Sequence, residues 1–156
     1  MGLDTLVIRN LEERDLGRVR DLLASAPESA AWPIDSLARG PRDLQVRIAE
    51  EDGRVCGVVI FRIVVDEAEI LNIAVEGSRR RRGTGSRLMN DVLLCCGISG
   101  ARKIFLEVRP SNNVAREFYS RLAFRETGRR RNYYQRPTED ALLLVRTVEN
   151  GTGKAL

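Results

Sequence analysis

The sequence predicts a mixed α/β fold, α+β in its layering, with a mostly antiparallel sheet and helices packed on it. Two observations predict it. Three apolar segments between residues 45 and 75 are separated only by tight turns, the pattern of consecutive antiparallel strands. Two later segments with helical periodicity, after residues 83 and 111, each lead the chain back to a further strand. The 156 residues suffice for one domain with a real core. Residues 1–150 are expected to form that single domain and 151–156 a frayed tail.

Leu3 to Arg9 alternates loosely and reads as a first strand. Asn10, with Glu13 three residues on, is the expected cap of a helix carrying Leu16, Val19, Leu22, Leu23 and Ala26 at helical spacing. Pro27 stops it. Residues 28–43 are irregular, with a short helix expected around Ser36 to Arg39 and Trp32 set either to staple that helix or to line a groove. A second strand covers 45–51, Asp52-Gly53 is a hairpin turn, and strands follow at Val55 to Val65 and Ala68 to Val75. The next helix presents Leu88, Met89, Val92, Leu93 and Cys96 on one face, with Gly97 and Gly100 expected to end it. Lys103 to Val108 is a strand. Ser111 or Asn112 then caps a helix with the apolar face Ala115, Phe118, Tyr119 and Leu122. Strands from Phe124 to Tyr134 and from Ala141 to Val148 complete the sheet.

Composition narrows the chemistry. No run approaches 18 apolar residues, so no membrane span is expected, and the first residues lack the basic-then-apolar pattern of a signal peptide. There is no histidine, which excludes His-based catalysis and the usual histidine-containing zinc sites. Cys56, Cys95 and Cys96 form neither a disulfide framework nor a Cys-x-x-Cys pair, and read as small core residues of a chain at home in a reducing cytoplasm. Charge is uneven. Residues 1–78 carry 9 basic and 15 acidic side chains, net −6, and residues 79–156 carry 17 and 7, net +10. The basic half suits an anion, either a phosphorylated cofactor or nucleic acid.

The stretch from Ile73 to Leu88 carries the strongest signal. An apolar strand runs into a polar turn, four arginines at 79–82, then Gly83-Thr84-Gly85 and an amphipathic helix. Glycines here permit close approach to the backbone, and the free N–H groups and dipole of the helix start suit a pyrophosphate.

On these residues the sequence resembles the GCN5-related N-acetyltransferase (GNAT) superfamily. The superfamily's loop motif, Arg/Gln-x-x-Gly-x-Gly/Ala, matches Arg80-Arg81-Arg82-Gly83-Thr84-Gly85. Narrower matches resemble the ribosomal-protein-alanine N-acetyltransferases of the RimI type. They are Asn72-Ile73-Ala74-Val75, Leu106-Glu107-Val108-Arg109, Ser111-Asn112, Tyr119 with Leu122-Ala123-Phe124, Arg130-Arg131-Asn132-Tyr133-Tyr134 and Glu139-Asp140-Ala141. The ordered set spans residues 70–145, while residues 1–30 agree only in layout.

The resemblance implies a twisted sheet splayed between its fourth and fifth strands, with helices on both faces and acetyl-coenzyme A in the cleft. It implies cofactor contacts from Ile73, Ala74 and Val75, from Arg80, Arg81, Arg82, Gly83, Thr84 and Gly85, and from Asn112 and Tyr119. Glu107 would be the general base and Tyr119 the general acid at the departing thiolate. Trp32, Asn72, Glu107, Tyr133 and Tyr134 would border the acceptor, the N-terminal alanine of a small-subunit ribosomal protein. No metal, membrane or direct nucleic-acid partner is expected, and a monomer is compatible with the sequence. One departure is Ala123, where the family usually has glycine; at positive φ an alanine there costs stability.

The residues suit acyl transfer to an amine, which needs a base for the amine, a donor for the oxyanion and a proton for the thiolate. Each has a plainer reading. Glu107 can be a solvated strand residue, Tyr119 and the tyrosine pair core packing, and the arginine runs surface charge. A polyamine, an antibiotic amine or another protein terminus is the alternative acceptor. A basic RNA-binding module is the remote alternative, favoured only by the aromatic and basic residues at 131–134.

Overall fold

Strand β1 (Leu6–Asn10) leads through a 3-10 turn at Glu13–Asp15 into helix α1 (Leu16–Ser25). Strands β2 (Leu44–Glu51), β3 (Arg54–Val64) and β4 (Glu67–Val75) follow as a meander. Helix α2 (Thr84–Ser99) crosses to β5 (Lys103–Val108), and helix α3 (Asn113–Arg121) to the hairpin of β6 (Arg125–Tyr134) and β7 (Glu139–Thr147). The seven strands form one sheet in the order β1-β2-β3-β4-β5-β7-β6, antiparallel throughout except for the parallel pair β4 and β5. This computed structural model describes residues 5–26, Leu37 and 43–149. Trp32, most of the short helix expected around Ser36 to Arg39, and the expected tail at 151–156 lie outside the described residues.

The strand β3 explains why the centre of the sequence is continuously apolar. Its alternate side chains enter two cores, one on each face. Val55, Val58 and Ile60 pack with Val19, Leu22 and Leu23 of α1, joined by Leu37. Cys56, Val59 and Phe61 pack with Leu88, Met89, Val92 and Cys96 of α2, and this second core extends to Tyr119 of α3. Each fully buried aliphatic or aromatic side chain is worth about 1.5–3 kcal/mol. The start of α2 lies close over β3 because residue 57 is glycine. A Cβ there would stand 3.1 Å from Leu88 Cδ1 and 3.3 Å from Thr84 Cγ2.

Two features of β4 open the sheet. Only Glu67, Ala68 and Glu69 pair with β5, opposite Lys103, Ile104 and Phe105. Beyond them Phe61 faces Ile70 while Ile60 faces Asn72, so Leu71 is an extra residue. Such a bulge bends a strand and raises its local twist, which turns the rest of β4 away from β5.

Some local expectations change. Asn10 does not cap the first helix. It is held in the β1–β2 ladder opposite Arg47, and the cap falls two residues later, where Glu12 N–H donates to Asp15 Oδ2 at 2.8 Å. Arg9 grips the same buried carboxylate at 2.7 and 2.9 Å, and this guanidinium holds Asp15 below the usual carboxylate range. Helix α2 runs through Gly97 and ends at Gly100, whose φ of 79° is the left-handed cap. Cys56 and Cys96 are buried core residues, and burial pushes the Cys96 thiol up to about 11. Among the described residues no helix is long and apolar enough to cross a membrane, and no three metal-ligating side chains cluster.

Candidate active site

The splay leaves part of β4 with an unpaired edge. Glu76 N–H donates to Cys56 carbonyl at 2.8 Å, which fixes the phase of the antiparallel ladder. With Val75 opposite Gly57 and Ile73 opposite Val59, those two residues turn their backbone groups away from β3, toward the cleft. Val75 carbonyl is met there by Arg80 Nε, which donates at 3.2 Å. Ala74 does the opposite: it is buried on the α1 side, and its backbone faces β3. The cleft between the diverging strands is lined by Asn72 and Ile73 on one wall and by Leu106, Glu107, Asn112, Tyr119 and Tyr134 on the other. Asn72 Nδ2 is buried in this wall without a hydrogen-bond partner. A buried unpaired amide is costly, about 1–3 kcal/mol, and is a natural contact for a ligand.

Glu107 and Tyr119 reach the cleft from opposite faces of the sheet. Ile104, Leu106 and Val108 share the α2-side core with Tyr119, so strand alternation directs Glu107 to the α1 side. Tyr119 is 6% exposed, its ring edge-on to Phe118 at 5.2 Å and to Phe124 at 5.5 Å. Burial pushes its phenol well above the ordinary tyrosine range, so the hydroxyl stays protonated at neutral pH. Asn112 uses its Oδ1 to cap α3, accepting from Ala115 N–H at 3.1 Å, which leaves its amide NH2 for the cleft.

The β6–β7 hairpin closes the mouth. Between Arg130, opposite Ala141, and Tyr134, opposite Glu139, β6 has two more residues than β7. Asn132 takes φ 51° there, its N–H donating to Asp140 Oδ1 at 3.0 Å. Successive strand residues normally point apart, but this bulge sets Tyr133 and Tyr134 edge to face with centroids 5.0 Å apart. Tyr133 hydrogen-bonds Glu107, and that bond, with burial, raises its phenol above the usual range. Arg130 Nε pairs with Glu107 Oε1 at 2.9 Å. Arg109 lies 4.4 Å over the Tyr134 ring and donates to Pro137 carbonyl at 2.9 Å and Gln135 carbonyl at 3.1 Å. Glu139 accepts from Ser111 N–H at 2.7 Å and hydroxyl at 2.8 Å, bonds that hold it below its ordinary pKa. Trp32 is the one predicted acceptor-side residue outside the described region.

The glycine loop caps the other end of the slot. A 3-10 turn at Gly77–Arg79 precedes it. Arg81 at φ 60° and Gly83 at φ 85° are left-handed, so successive N–H groups curl around a concavity of the kind that binds anions. The space beside Gly83 is open. Gly85 differs, because a Cβ there would stand 3.3 Å from Phe118 Cζ. Its small size lets α2 approach α3 as well as a ligand approach the backbone. Thr84 is buried under the loop. Arg79 is drawn in to Glu51, Arg82 is exposed with a guanidinium nitrogen 3.9 Å from the same carboxylate, and Arg81 is exposed.

These groups fit a thioester donor with an amide-bearing arm and a pyrophosphate: an unpaired strand edge, an unpartnered buried amide and an open anion cradle. A family model described as the acetyltransferase (GNAT) family matches residues 8–124, from β1 to Phe124, just before β6. The chain belongs to that family. It is an acetyl-coenzyme A-dependent N-acetyltransferase. The acetyltransferase is 36% identical over 144 residues to the ribosomal protein bS18-alanine N-acetyltransferase of Escherichia coli K12, covering 88% of this chain and 95% of that one. It is 34% identical over 141 residues to the enzyme of the same name from Salmonella typhimurium LT2, covering 80% and 93%. The crystal structure of the Escherichia coli ribosomal-protein-S18-alanine N-acetyltransferase superposes with a TM-score of 0.83 at 28% identity, covering 97% of this chain and 99% of that one.

Residue-by-residue reasoning missed three contributors to this site. Glu51 ends β2 with nothing local to mark it. Arg130 stands in a basic run that reads as surface charge, because its pairing with Glu107 spans two strands. Glu139 entered only through the family match, and its link to Ser111 spans 28 residues.

Proposed function

We propose that this acetyltransferase modifies the α-amine of an N-terminal alanine on a small-subunit ribosomal protein, with residues 1–150 acting as one domain. The observation that carries the mechanism is the placement of Glu107 and Tyr119 on opposite faces of one slot. The acceptor class rests on likeness to the bS18-alanine enzymes along nearly their whole length.

The donor's arm would lie along the free edge of β4, with backbone groups of Ile73 and Val75 and the amide of Asn112 as its partners, while Asn72 borders the acceptor. Its pyrophosphate would rest on backbone N–H groups between Arg81 and Gly85, that of Arg80 being turned back to Gly77 carbonyl at 3.4 Å. That arrangement sets the acetyl group in the slot. The acceptor amine enters on the Glu107 side, past the Tyr133–Tyr134 pair. Glu107 takes the proton of the amine, directly or through water, as nitrogen bonds to the acetyl carbon. An outward N–H of β4, that of Ile73, faces the carbonyl oxygen as it gains charge. The carbon–sulfur bond then breaks on the Tyr119 side, and the phenol donates to the departing sulfur. A thiol is a stronger acid than this buried phenol, so Tyr119 stabilises the developing thiolate as a hydrogen-bond donor and keeps its own proton. No covalent enzyme intermediate is needed.

An α-amine acceptor suits this apparatus. Its reference pKa is about 8, against about 10.4 for lysine, so a carboxylate has less to do at neutral pH. The test is mass spectrometry with acetyl-coenzyme A and a peptide panel: the ribosomal N-terminus, its α-blocked form, an internal-lysine peptide and polyamines. Acetylation of the free N-terminal peptide alone is the expected result. Transfer confined to lysine side chains or polyamines would overturn the acceptor assignment and leave the family membership intact.

A further inference from the structure

The carboxylate of Glu51 stands at the end of β2, on the face turned to α2, and its side chain is only 9% exposed. One oxygen, Oε2, pairs with Arg79, and the other, Oε1, lies 3.9 Å from Arg82 NH2. These two arginines bracket Arg80 and Arg81. The second of the bracketed residues holds the left-handed φ of 60° that curls the loop. A non-glycine residue in that conformation persists only where its surroundings fix it. Beside this contact Glu76 binds Arg18 at 2.8 Å and Arg54 at 3.0 Å, which secures the start of the same loop to α1 and β3. The loop therefore rests on two carboxylates, and one of them spans its tight turn.

A carboxylate under an anion-binding loop is electrostatically the wrong sign. Charge alone would make the loop bind a pyrophosphate better without it. Its value must lie in geometry: it draws the Arg79 guanidinium in, holds that of Arg82 at 3.9 Å, and leaves the loop's backbone N–H groups as the anion's partners. We propose that Glu51 is a positioning residue for the donor, clamping Arg79 and Arg82 so that the loop from Arg80 to Gly85 is preformed for a pyrophosphate. This rests on the assignment of that loop as the pyrophosphate site.

The two effects have opposite signs, so a substitution separates them. Kinetics would be measured with acetyl-coenzyme A and with S-acetylpantetheine, which has the thioester arm and no pyrophosphate. Glu51→Gln should lower kcat/KM for acetyl-coenzyme A at least tenfold, mostly through KM, and leave the value for S-acetylpantetheine within twofold. Arg79→Gln should shift the same ratio the same way, and Glu51→Asp should recover part of it. Hydrogen exchange should speed up at residues 79–85 and stay unchanged in β5 and β7. An equal loss with both donors would show that Glu51 supports the fold at large, and tighter coenzyme A binding would show that its charge outweighs its clamp; either overturns the proposal. A wild-type enzyme that uses both donors equally well would instead remove the loop assignment beneath it. Should Glu51→Gln fail to fold, Glu51→Asp, which keeps the charge and shortens the clamp, decides: a loss confined to acetyl-coenzyme A supports the clamp, and an equal loss with both donors or no loss overturns it.

Discussion

Glu107 and Arg130 meet across the mouth of the cleft, carboxylate Oε1 to guanidinium Nε at 2.9 Å. The proposed base is therefore engaged by a cation before any acceptor arrives. An incoming ammonium and this guanidinium want the same carboxylate. Arg130 is more than half exposed on a bulged edge strand, so it can withdraw to solvent at small cost.

Glu107→Gln should reduce turnover by about 10²–10⁴-fold, the usual worth of a positioned proton acceptor, with coenzyme A affinity largely kept. The deficit should shrink above about pH 8, where the α-amine loses its proton unaided. Arg130→Gln should act the other way on binding and lower the acceptor KM severalfold at saturating donor. Steady-state profiles from pH 6 to 10 check both. A wild-type profile in folded Glu107→Gln would end its role as base.

Tyr119→Phe keeps the ring contacts with Phe118 and Phe124 and removes only the hydroxyl. Turnover should fall by about 10²-fold, with the melting temperature at pH 7 nearly unchanged. A second signature follows from burial, which raises this pKa in the folded state. A group raised on folding contributes stability fully below its unfolded pKa, about 10, and loses it as pH rises toward the folded value. Between pH 8 and 11 the wild type should therefore lose stability faster in urea than Tyr119→Phe does. Parallel curves would mean that the phenol is not desolvated.

The sheet and its helices were legible because their signals are local. Period-2 and period-3.6 patterns, Asp52-Gly53 and the loop glycines each declare themselves within a few residues. Ser111-Asn112 narrowed the cap to two positions, and geometry chose Asn112, whose side chain reaches N3. The site was legible only where the family motif covers it. Glu51 with Arg79, and Glu107 with Arg130, join residues 28 and 23 positions apart on different elements, and no periodicity encodes such pairs. The tyrosine pair was visible, but its shared direction depends on a two-residue bulge, and a one-residue change in register reverses every side chain. Asn10 misled because a good capping residue was claimed first by the β1–β2 ladder.

The two loop glycines should fail differently when replaced by valine. At Gly83 the neighbouring space is open, but φ is 85°, so valine pays the left-handed penalty of at least about 1–2 kcal/mol or flattens the cradle. Coenzyme A affinity should fall with a modest stability loss. At Gly85 the Cβ collides with Phe118, so valine should cost about 1–3 kcal/mol of stability by overpacking and displace α3, carrying Tyr119 with it. Calorimetric titration with coenzyme A beside thermal melts distinguishes them. Unchanged affinity in folded Gly83→Val would refute the placement of the pyrophosphate.

Ala123 offers a gain instead of a loss. Helix α3 ends in a paired motif, with Phe124 N–H donating to Tyr119 carbonyl at 3.0 Å and Ala123 N–H to Ser120 carbonyl at 3.1 Å. The ring contact of Tyr119 and Phe124 is the hydrophobic bond that accompanies such an ending. This geometry needs a left-handed residue between them, and Ala123 supplies it at φ 65°. A Cβ in that conformation costs about 1–2 kcal/mol. Glycine removes the clash but gives the unfolded chain more freedom, which returns about 0.4–1 kcal/mol. The difference favours Ala123→Gly by up to about 1.6 kcal/mol, a rise in Tm of roughly 2–4 °C per kcal/mol for a chain of this size. Because glycine leaves both hydrogen bonds of the ending and the Tyr119–Phe124 ring contact in place, kcat and both KM values should stay within twofold of wild type. A lower Tm would show that the helix end relaxes in the alanine protein by a route that glycine cannot improve, and a changed kcat would show that the ending also sets where the phenol points.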